Sequence, residues 1–273
     1  MRLLLRLLLI FALAGVALFA WMHHEARLDP VVRRATVHLP DWPRGKAPLR
    51  VLLLSDIHMG SAVMDPARLE RIVGQANALK PDLVLIAGDF VYGNDAVAGA
   101  RSAQQLVVPL SRLRAPLGVV AVSGNHDYWA GGDSLPPALR RAGVTLLENS
   151  AIVRGPLAIG GLADSYSLHA KVPMTMTALY RLPGAKLVLT HAPDVTPYLP
   201  GKVHLVLAGH THCGQLLVPW ITALPRTGRG RYACGWTHDP GRLSLVTAGV
   251  GTSILPLRLG ADPDMWLLTL GPN

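Results

Sequence analysis

Five stretches of this chain end in side chains that can hold a metal ion or move a proton. They read SDIH, with Asp56 and His58; AGDF, with Asp89; SGNHD, with Asn125, His126 and Asp127; LTH, ending at His191; and AGHTH, with His210 and His212. Taken singly, each has an ordinary reading. Glycine followed by aspartate suits a turn, as does GNHD. An aspartate two residues before a histidine suits a polar strand end, and a histidine after a strand suits a capped core position. The His210–His212 pair is stronger, because alternate residues of an extended segment point the same way. Jointly the stretches describe a metal site. Carboxylate, imidazole and amide oxygen suit intermediate divalent ions such as manganese, iron or zinc better than calcium. At least six candidate ligands are too many for one tetrahedral ion, so two ions sharing a carboxylate is the economical arrangement. Two ions about 3.5–4 Å apart can clamp a phosphate and generate a bridging hydroxide for in-line attack.

Residues so far apart meet only if the elements carrying them end in one place. LRVLLLSDIH, DLVLIAGDF and GVVAVSGNHD each read as a short apolar run ending in polar residues, the pattern of a buried strand. Between the first two lies DPARLERIVGQANALKP, a helix with Asp65 as N-cap and Pro66 at the first helical position. Leu69, Ile72, Val73, Ala76 and Leu79 fall on one face of it. RSAQQLVVPLSRLRA gives a second amphipathic helix, open to a kink at Pro109, and SLPPALRRAG a third. Strands alternating with helices indicate βαβ units and a layered α/β domain. Past residue 144 come the short strands VTLLEN, LAIGGLA, AKLVLTH, VHLVLAGH, RLSLVTAG and MWLLTL, without long helices between them. They suggest a second, mixed or antiparallel sheet. Ligands in layered α/β sheets sit at the carboxyl ends of the strands, where loops converge on one crevice. That rule brings all five stretches together.

The ordered set SDIH, AGDF, SGNHD, LTHAPD and AGHTH resembles the calcineurin-like metallophosphoesterases, over roughly residues 49–269. The tail GVGTSILPLRLGADPDMWLLTL further resembles a bacterial branch of membrane-anchored or exported phosphodiesterases, similar to some enzymes that cleave UDP-diacylglucosamine. The resemblance implies a four-layer α/β/β/α sandwich of two mixed sheets with a dinuclear metal site at the strand ends. It implies that Asp56, His58 and His212 hold one metal, that Asn125, His191 and His210 hold the second, and that Asp89 bridges both. His126 is then the residue beside the scissile phosphate, stabilising its charge or protonating the leaving group, with Asp127 orienting it. The reaction implied is hydrolysis of a phosphodiester or pyrophosphate by a metal-bridging hydroxide, without a phospho-enzyme.

Bulk properties bound the rest. The chain has 273 residues, half of them apolar and 16% charged, which excludes a disordered protein and allows a substantial core. The net charge of +9, mostly arginine, fits either an anionic partner or drift in composition. No basic stretch is interleaved with aromatics in the manner that stacks bases, so nucleic acid is the lesser choice of partner. The run from Leu7 to Met22, preceded by Arg2 and Arg6 and carrying Trp21 near its end, suits an uncleaved N-terminal membrane anchor over residues 1–22. A signal peptide competes, but no small-x-small cleavage site follows the run. Residues 23–49, rich in proline and charge, read as a tether or an edge strand, and residues 50–273 as the catalytic domain. The expected location is the inner membrane of a bacterial cell, with a lean toward a domain outside the cytoplasm. The expected substrate is lipid-linked or nucleotide-linked; a nuclease and a non-catalytic, metal-stabilised membrane scaffold are the rivals. Cys213 and Cys234 could form one disulfide or remain free and buried. Cys213 reads as a bystander to the metals, Asp194 as a turn residue and His204 as a core histidine. Arg226, Arg229 and Arg231 read equally as an anion-facing or a solvated loop.

Overall fold

The computed structural model describes residues 1–218, 221–222 and 230–272. In chain order the elements are α1 (Arg2–Arg27), β1 (Val31–His38), β2 (Leu49–Leu54), α2 (Pro66–Ala78), β3 (Leu83–Ala87), α3 (Ala96–Ser111), β4 (Val119–Val122) and α4 (Leu135–Arg141). They continue with β5 (Val144–Leu146), β6 (Ser150–Arg154), β7 (Leu157–Gly161), α5 (Val172–Tyr180), β8 (Ala185–Leu189) and β9 (Leu205–Ala208). A short hairpin of β10 (Leu217–Val218) and β11 (Ile221–Thr222) precedes β12 (Gly235–Asp239), β13 (Arg242–Val246) and β14 (Asp264–Gly271).

Two mixed six-stranded sheets carry the molecule, ordered β1-β14-β2-β3-β4-β5 and β12-β13-β9-β8-β7-β6. In the first, β2, β3, β4 and β5 run parallel, and β14 is antiparallel to β2. In the second, β7, β8, β9 and β13 run parallel between antiparallel edges β6 and β12. Period-two alternation sorts the apolar side chains. Val51, Leu53, Leu83 and Leu85 face Leu157, Ile159, Leu187, Leu189, Leu205 and Leu207 of the other sheet in one buried core. Leu52, Leu54, Val84 and Ile86 point the other way, against Leu69, Ile72 and Val73 of α2 and Leu106 and Leu110 of α3. Beyond the second sheet, Val188 and Val206 pack with Met176 and Leu179 of α5. The layers therefore run helices, sheet, sheet, helix, the α/β/β/α order expected.

Helix starts follow their caps. The Asp65 side chain accepts from Arg68 N, and Pro66 opens α2 as the sequence predicts. Helix α3 begins earlier than its apolar periodicity suggests, because the Asp95 side chain accepts from Ala98 N and caps it there; Pro109 lies inside it. Helix α5 was not anticipated. Its VPMTMTALY sequence has no charged residue, so it lacks the polar face that makes a helical period visible. Of the two readings of residues 23–49, Val31–His38 forms an edge strand, parallel to β14 over its full length from Val31–Asp264 to His38–Gly271. Val37, Leu39 and Trp42 are buried in the core between the sheets. Helix α1 spans 26 residues, and its side chains are exposed until the last turns, where Ala26 is buried. Cys213 and Cys234 are joined in a disulfide, with Cα atoms 4.6 Å apart, so neither is a free thiol.

Candidate metal centre

Strands β2, β3, β4, β8 and β9 are adjacent, parallel members of their sheets, and the residues just past their carboxyl ends carry Asp56 and His58, Asp89, Asn125 with His126, His191, and His210 with His212. The chain turns sharply at each. Asp56, His58, Asp89, His210 and His212 all have positive φ, between 51° and 70°. Such conformations cost of order 1–3 kcal/mol each in non-glycine residues and persist where surrounding structure imposes them. Two glycines make room. A Cβ on Gly88, itself at φ 82°, would lie 2.7 Å from Gly124 N and 2.9 Å from His191 Nδ1. A Cβ on Gly209 would meet Asp56 Oδ2 at 2.5 Å, which is why the strand end before His210 can lie against that carboxylate.

Two clusters share Asp89. In one, His212 Nε2 lies 3.3 Å from Asp56 Oδ1 and 3.1 Å from His58 Nε2, and His58 Nε2 lies 3.4 Å from Asp89 Oδ2. In the other, His191 Nε2 lies 3.3 Å from Asp89 Oδ2, 3.2 Å from Asn125 Oδ1 and 3.1 Å from His210 Nδ1. The donor atoms of Asp56, His58 and His212, and those of Asp89, His191 and His210, fall within 4.8 Å of one another. All seven candidate ligands thus meet in one place, with Asp89 between the two groups.

The chemistry of this set fits divalent cations. His191 Nδ1 sits 2.7 Å from the Ala87 carbonyl, which can only accept, so Nδ1 carries the proton and Nε2 turns toward the cluster. There it meets a carboxylate, an amide oxygen and another imidazole nitrogen, and only a proton or a cation at that point reconciles them. Burial works against the charged form of His191, but Asp89 overrides it and holds the ring well above the ordinary histidine range. Burial has the opposite outcome at His58 and His210, lowering both to about 3, and at His212, well below the usual value. Those rings are neutral at pH 7, the form that binds metal. Burial pushes Asp56 up to about 7, and it would push Asp89 up too, but the His191 charge holds Asp89 well below the carboxylate range.

His126 lines the open side. Its backbone N–H donates to Asp89 Oδ1 at 2.9 Å, and its Nδ1 lies 2.7 Å from the Gly93 carbonyl. Nδ1 is therefore the protonated nitrogen, and Nε2 is left toward the cavity, 3.5 Å from Ser253 Oγ. The expectation that Asp127 orients this ring is corrected here. Asp127 Oδ1 accepts from Phe90 N and Val91 N, and Oδ2 accepts from Gly124 N. Its carboxylate ties the loop after β3 to the loop after β4, and the Gly93 carbonyl takes the role assigned to it. Burial, then the Asp89 charge, pushes Asp127 up to about 8, while the backbone N–H groups pull back.

A cavity of about 170 Å³ opens over the cluster, lined by Asp89, Asn125, His126, Trp129, Tyr166, His210, Thr211, His212, Ser253 and Ile254. Trp129, Tyr166, Ser253 and Ile254 were not singled out from the sequence, since nothing in their spacing marks them; Ser253 and Ile254 stand in the tail that carried the resemblance. Asp194 lies in the short 3-10 helix Pro193–Tyr198 and accepts from Ser165 Oγ at 2.6 Å. His204 lies half-buried ahead of β9, with Nδ1 3.0 Å from Gly241 O, rather than within the core. Arg231 donates to Asp239, and Arg226 and Arg229 lie outside the described residues.

Comparison with known proteins gives a concordant picture. The calcineurin-like phosphoesterase profile matches residues 49–214. A metallophosphoesterase of Caenorhabditis elegans is 30% identical over 97% of this chain, which spans 57% of that protein's length. Phosphodiesterase YaeI of Escherichia coli is 32% identical over 92% of each chain. The crystal structure of a 5'-nucleotidase precursor from Thermus thermophilus superposes with a TM-score of 0.50 at 17% identity, over 81% of this chain and 55% of that one, a likeness of fold.

Proposed function

This chain belongs to the calcineurin-like phosphoesterase family, a phosphoric ester hydrolase, and from that premise we propose that it hydrolyses a phosphodiester or pyrophosphate bond in a lipid-linked or nucleotide-linked substrate. The observation that carries the reading is the pair of ligand clusters meeting at Asp89 beneath an open cavity. Asp56, His58 and His212 would hold one divalent ion, Asn125, His191 and His210 a second, and Asp89 both. Manganese, iron and zinc all suit this donor set. When bound, such a pair supplies Lewis acidity to phosphoryl oxygens and lowers the pKa of water. The chain's own residues do the rest. His126, with Nδ1 fixed on the Gly93 carbonyl, presents Nε2 to the substrate, where it bonds a phosphoryl oxygen or gives a proton to the departing one. Asp127 holds the two loops that place Asp89 and His126. Water adds to phosphorus, one P–O bond breaks, and the leaving alcohol or phosphate departs with the proton.

Helix α1 is long and apolar enough to cross a membrane, and we assign it as an anchor in the cell membrane. The Cys213–Cys234 disulfide supports a domain outside the cytoplasm, because such bonds persist in oxidising compartments. The catalytic reading is tested by assaying purified protein on bis(4-nitrophenyl) phosphate with added manganese. His126→Ala should lower kcat by about 10²–10⁴-fold, the usual worth of a positioned acid, and Asp89→Asn should abolish metal-dependent turnover. Hydrolysis without metal, or unchanged in both variants, would sink the reading.

A further inference from the structure

Helix α1 is fastened to the loop that walls the candidate site. The Arg258 backbone N–H donates to Met22 O at 3.0 Å, and His23 Nδ1 lies 2.9 Å from Pro256 O. Ala26 is fully buried at the same junction, and Arg68 Nη2 donates to Leu28 O at 2.9 Å. A few residues earlier this loop supplies Ser253 and Ile254 to the cavity wall, and Tyr92 Oη donates to Ile254 O at 3.0 Å. One short segment therefore touches the helix at one end and the site at the other.

Ile254, at the cavity end, is 60% exposed, and Leu255, between the two attachments, is 46% exposed. Water disfavours two adjacent large aliphatic side chains held out on a loop. Their height is set by the helix. Trp21, half exposed, directly precedes Met22, and tryptophan at the end of an apolar helix sits at the level of the headgroups. The loop bonded to Met22 and His23 shares that level. The net charge of +9, only two of it from Arg2 and Arg6 at the far end of α1, also favours an anionic leaflet.

We propose that the mouth of the site lies on the bilayer surface, with Ile254 and Leu255 entering the headgroup region, and that its substrate is a phosphoester in the headgroup of a lipid drawn from that leaflet. The proposal rests on the phosphoesterase reading and on α1 as an anchor. The reaction is hydrolysis: water adds to phosphorus, the P–O bond to the leaving alcohol breaks, and that alcohol carries away the proton.

The test uses the full chain in vesicles of phosphatidylcholine and phosphatidylglycerol. Nitroxide labels are placed at Trp21→Cys, Leu255→Cys and Lys202→Cys. The last is exposed ahead of β9, at the opposite end of the sheet from the site, and the native cysteines are already paired. Labels at 21 and 255 should collide more with oxygen than with a water-soluble nickel complex, and the label at 202 the reverse. A label at 255 as wet as that at 202, or a wet label at 21, overturns the proposal. In parallel, Leu255→Asp should slow hydrolysis of dioleoylphosphatidyl 4-nitrophenyl ester in the vesicles by about tenfold or more, the scale of one buried leucine. It should change hydrolysis of soluble bis(4-nitrophenyl) phosphate by less than about twofold, since Leu255 lies outside the cavity lining. Equal loss on both substrates, no loss on the lipid, or wild-type protein inert on the lipid but active on the soluble ester overturns it. Failure of the phosphoesterase reading shows separately, as wild-type protein inert on both while the labels keep their depths.

Discussion

Arg258 shows how a residue outside the cavity can govern the site. Its guanidinium is fully buried and donates to the carbonyls of Ala248, Gly249, Gly251 and Ala261. Burial draws it down to about 10, so it remains a cation at pH 7, held by carbonyl dipoles. The loop it gathers backs the first ligand: Gly251 N donates to Asp56 O at 2.7 Å and Val250 N to Ser55 O at 3.0 Å. Arg258→Met should strand those carbonyls. A buried, unsatisfied polar group costs about 1–3 kcal/mol, and several sharing one cause do not add fully, so a loss of about 3 kcal/mol or more is expected in urea unfolding. Arg258→Lys keeps the charge without the fork and should fall between. A variant as stable as wild type would show that the carbonyls find other partners. The ligands themselves were legible because metal binding demands particular donor atoms, which side-chain type reveals. Arg258 was not, because its partners are main-chain carbonyls that any sequence supplies and only folding gathers. The partner of His126 was misassigned for the same reason: the Gly93 carbonyl has no signature, whereas the adjacent Asp127 looked like one.

The turn after β9 depends on a fastening from a distant element. His212 and Cys213 both have positive φ, at 51° and 53°, an arrangement that needs outside support. The support comes from the segment before β12, where Cys234 bonds Cys213 and the Ala233 carbonyl accepts from Thr211 Oγ1 at 2.6 Å. The disulfide spans 21 residues of sequence, and closing a loop of that size stabilises by about 3 kcal/mol on the chain-entropy account. Replacing both cysteines by alanine should lower unfolding stability by about that amount. It should also weaken metal binding, read by cobalt titration, because the turn presenting His212 loses its clamp. Stability lost with metal affinity intact would confine the disulfide to a structural role. Strands and helices with a sharp period or a cap were readable: β2 to β4 from their apolar runs, α2 from Asp65 and Pro66. Elements whose burial is decided elsewhere were harder. Strand β1, at an edge and only partly covered, was legible as one of two readings, and α5, against the second sheet with no charged stripe to mark its outer face, was not legible.

At the scale of the whole molecule, the two sheets bring two buried aspartates and four histidines to one point, a set of electron-pair donors that a cation would tie together. Any ion binding the folded chain alone stabilises it by mass action, about 4 kcal/mol at a thousand times its Kd. For a chain of this size that corresponds to a rise in Tm on the order of 10 °C, so chelation should lower Tm by that much and manganese restore it; an unmoved Tm would argue against tight sites. The proposed orientation draws on how the arginines around α1 are used. On the domain side, Arg33 pairs with Asp264 at 2.9 Å and Arg27 donates to Ala62 O, which binds those two into the fold, while Arg34 is exposed. Arg2 and Arg6, at the other end of the helix, make no such contact among the described residues, and positive residues flanking a span favour the cytoplasmic side. With the disulfide, this supports the proposal that the domain lies outside the cytoplasm. In spheroplasts, a membrane-impermeant maleimide should label Cys213 and Cys234 only after an impermeant reductant is added outside, and external protease should remove the domain. Thiols that react without reductant, and only after lysis, would put the domain in the cytoplasm and reverse both arguments.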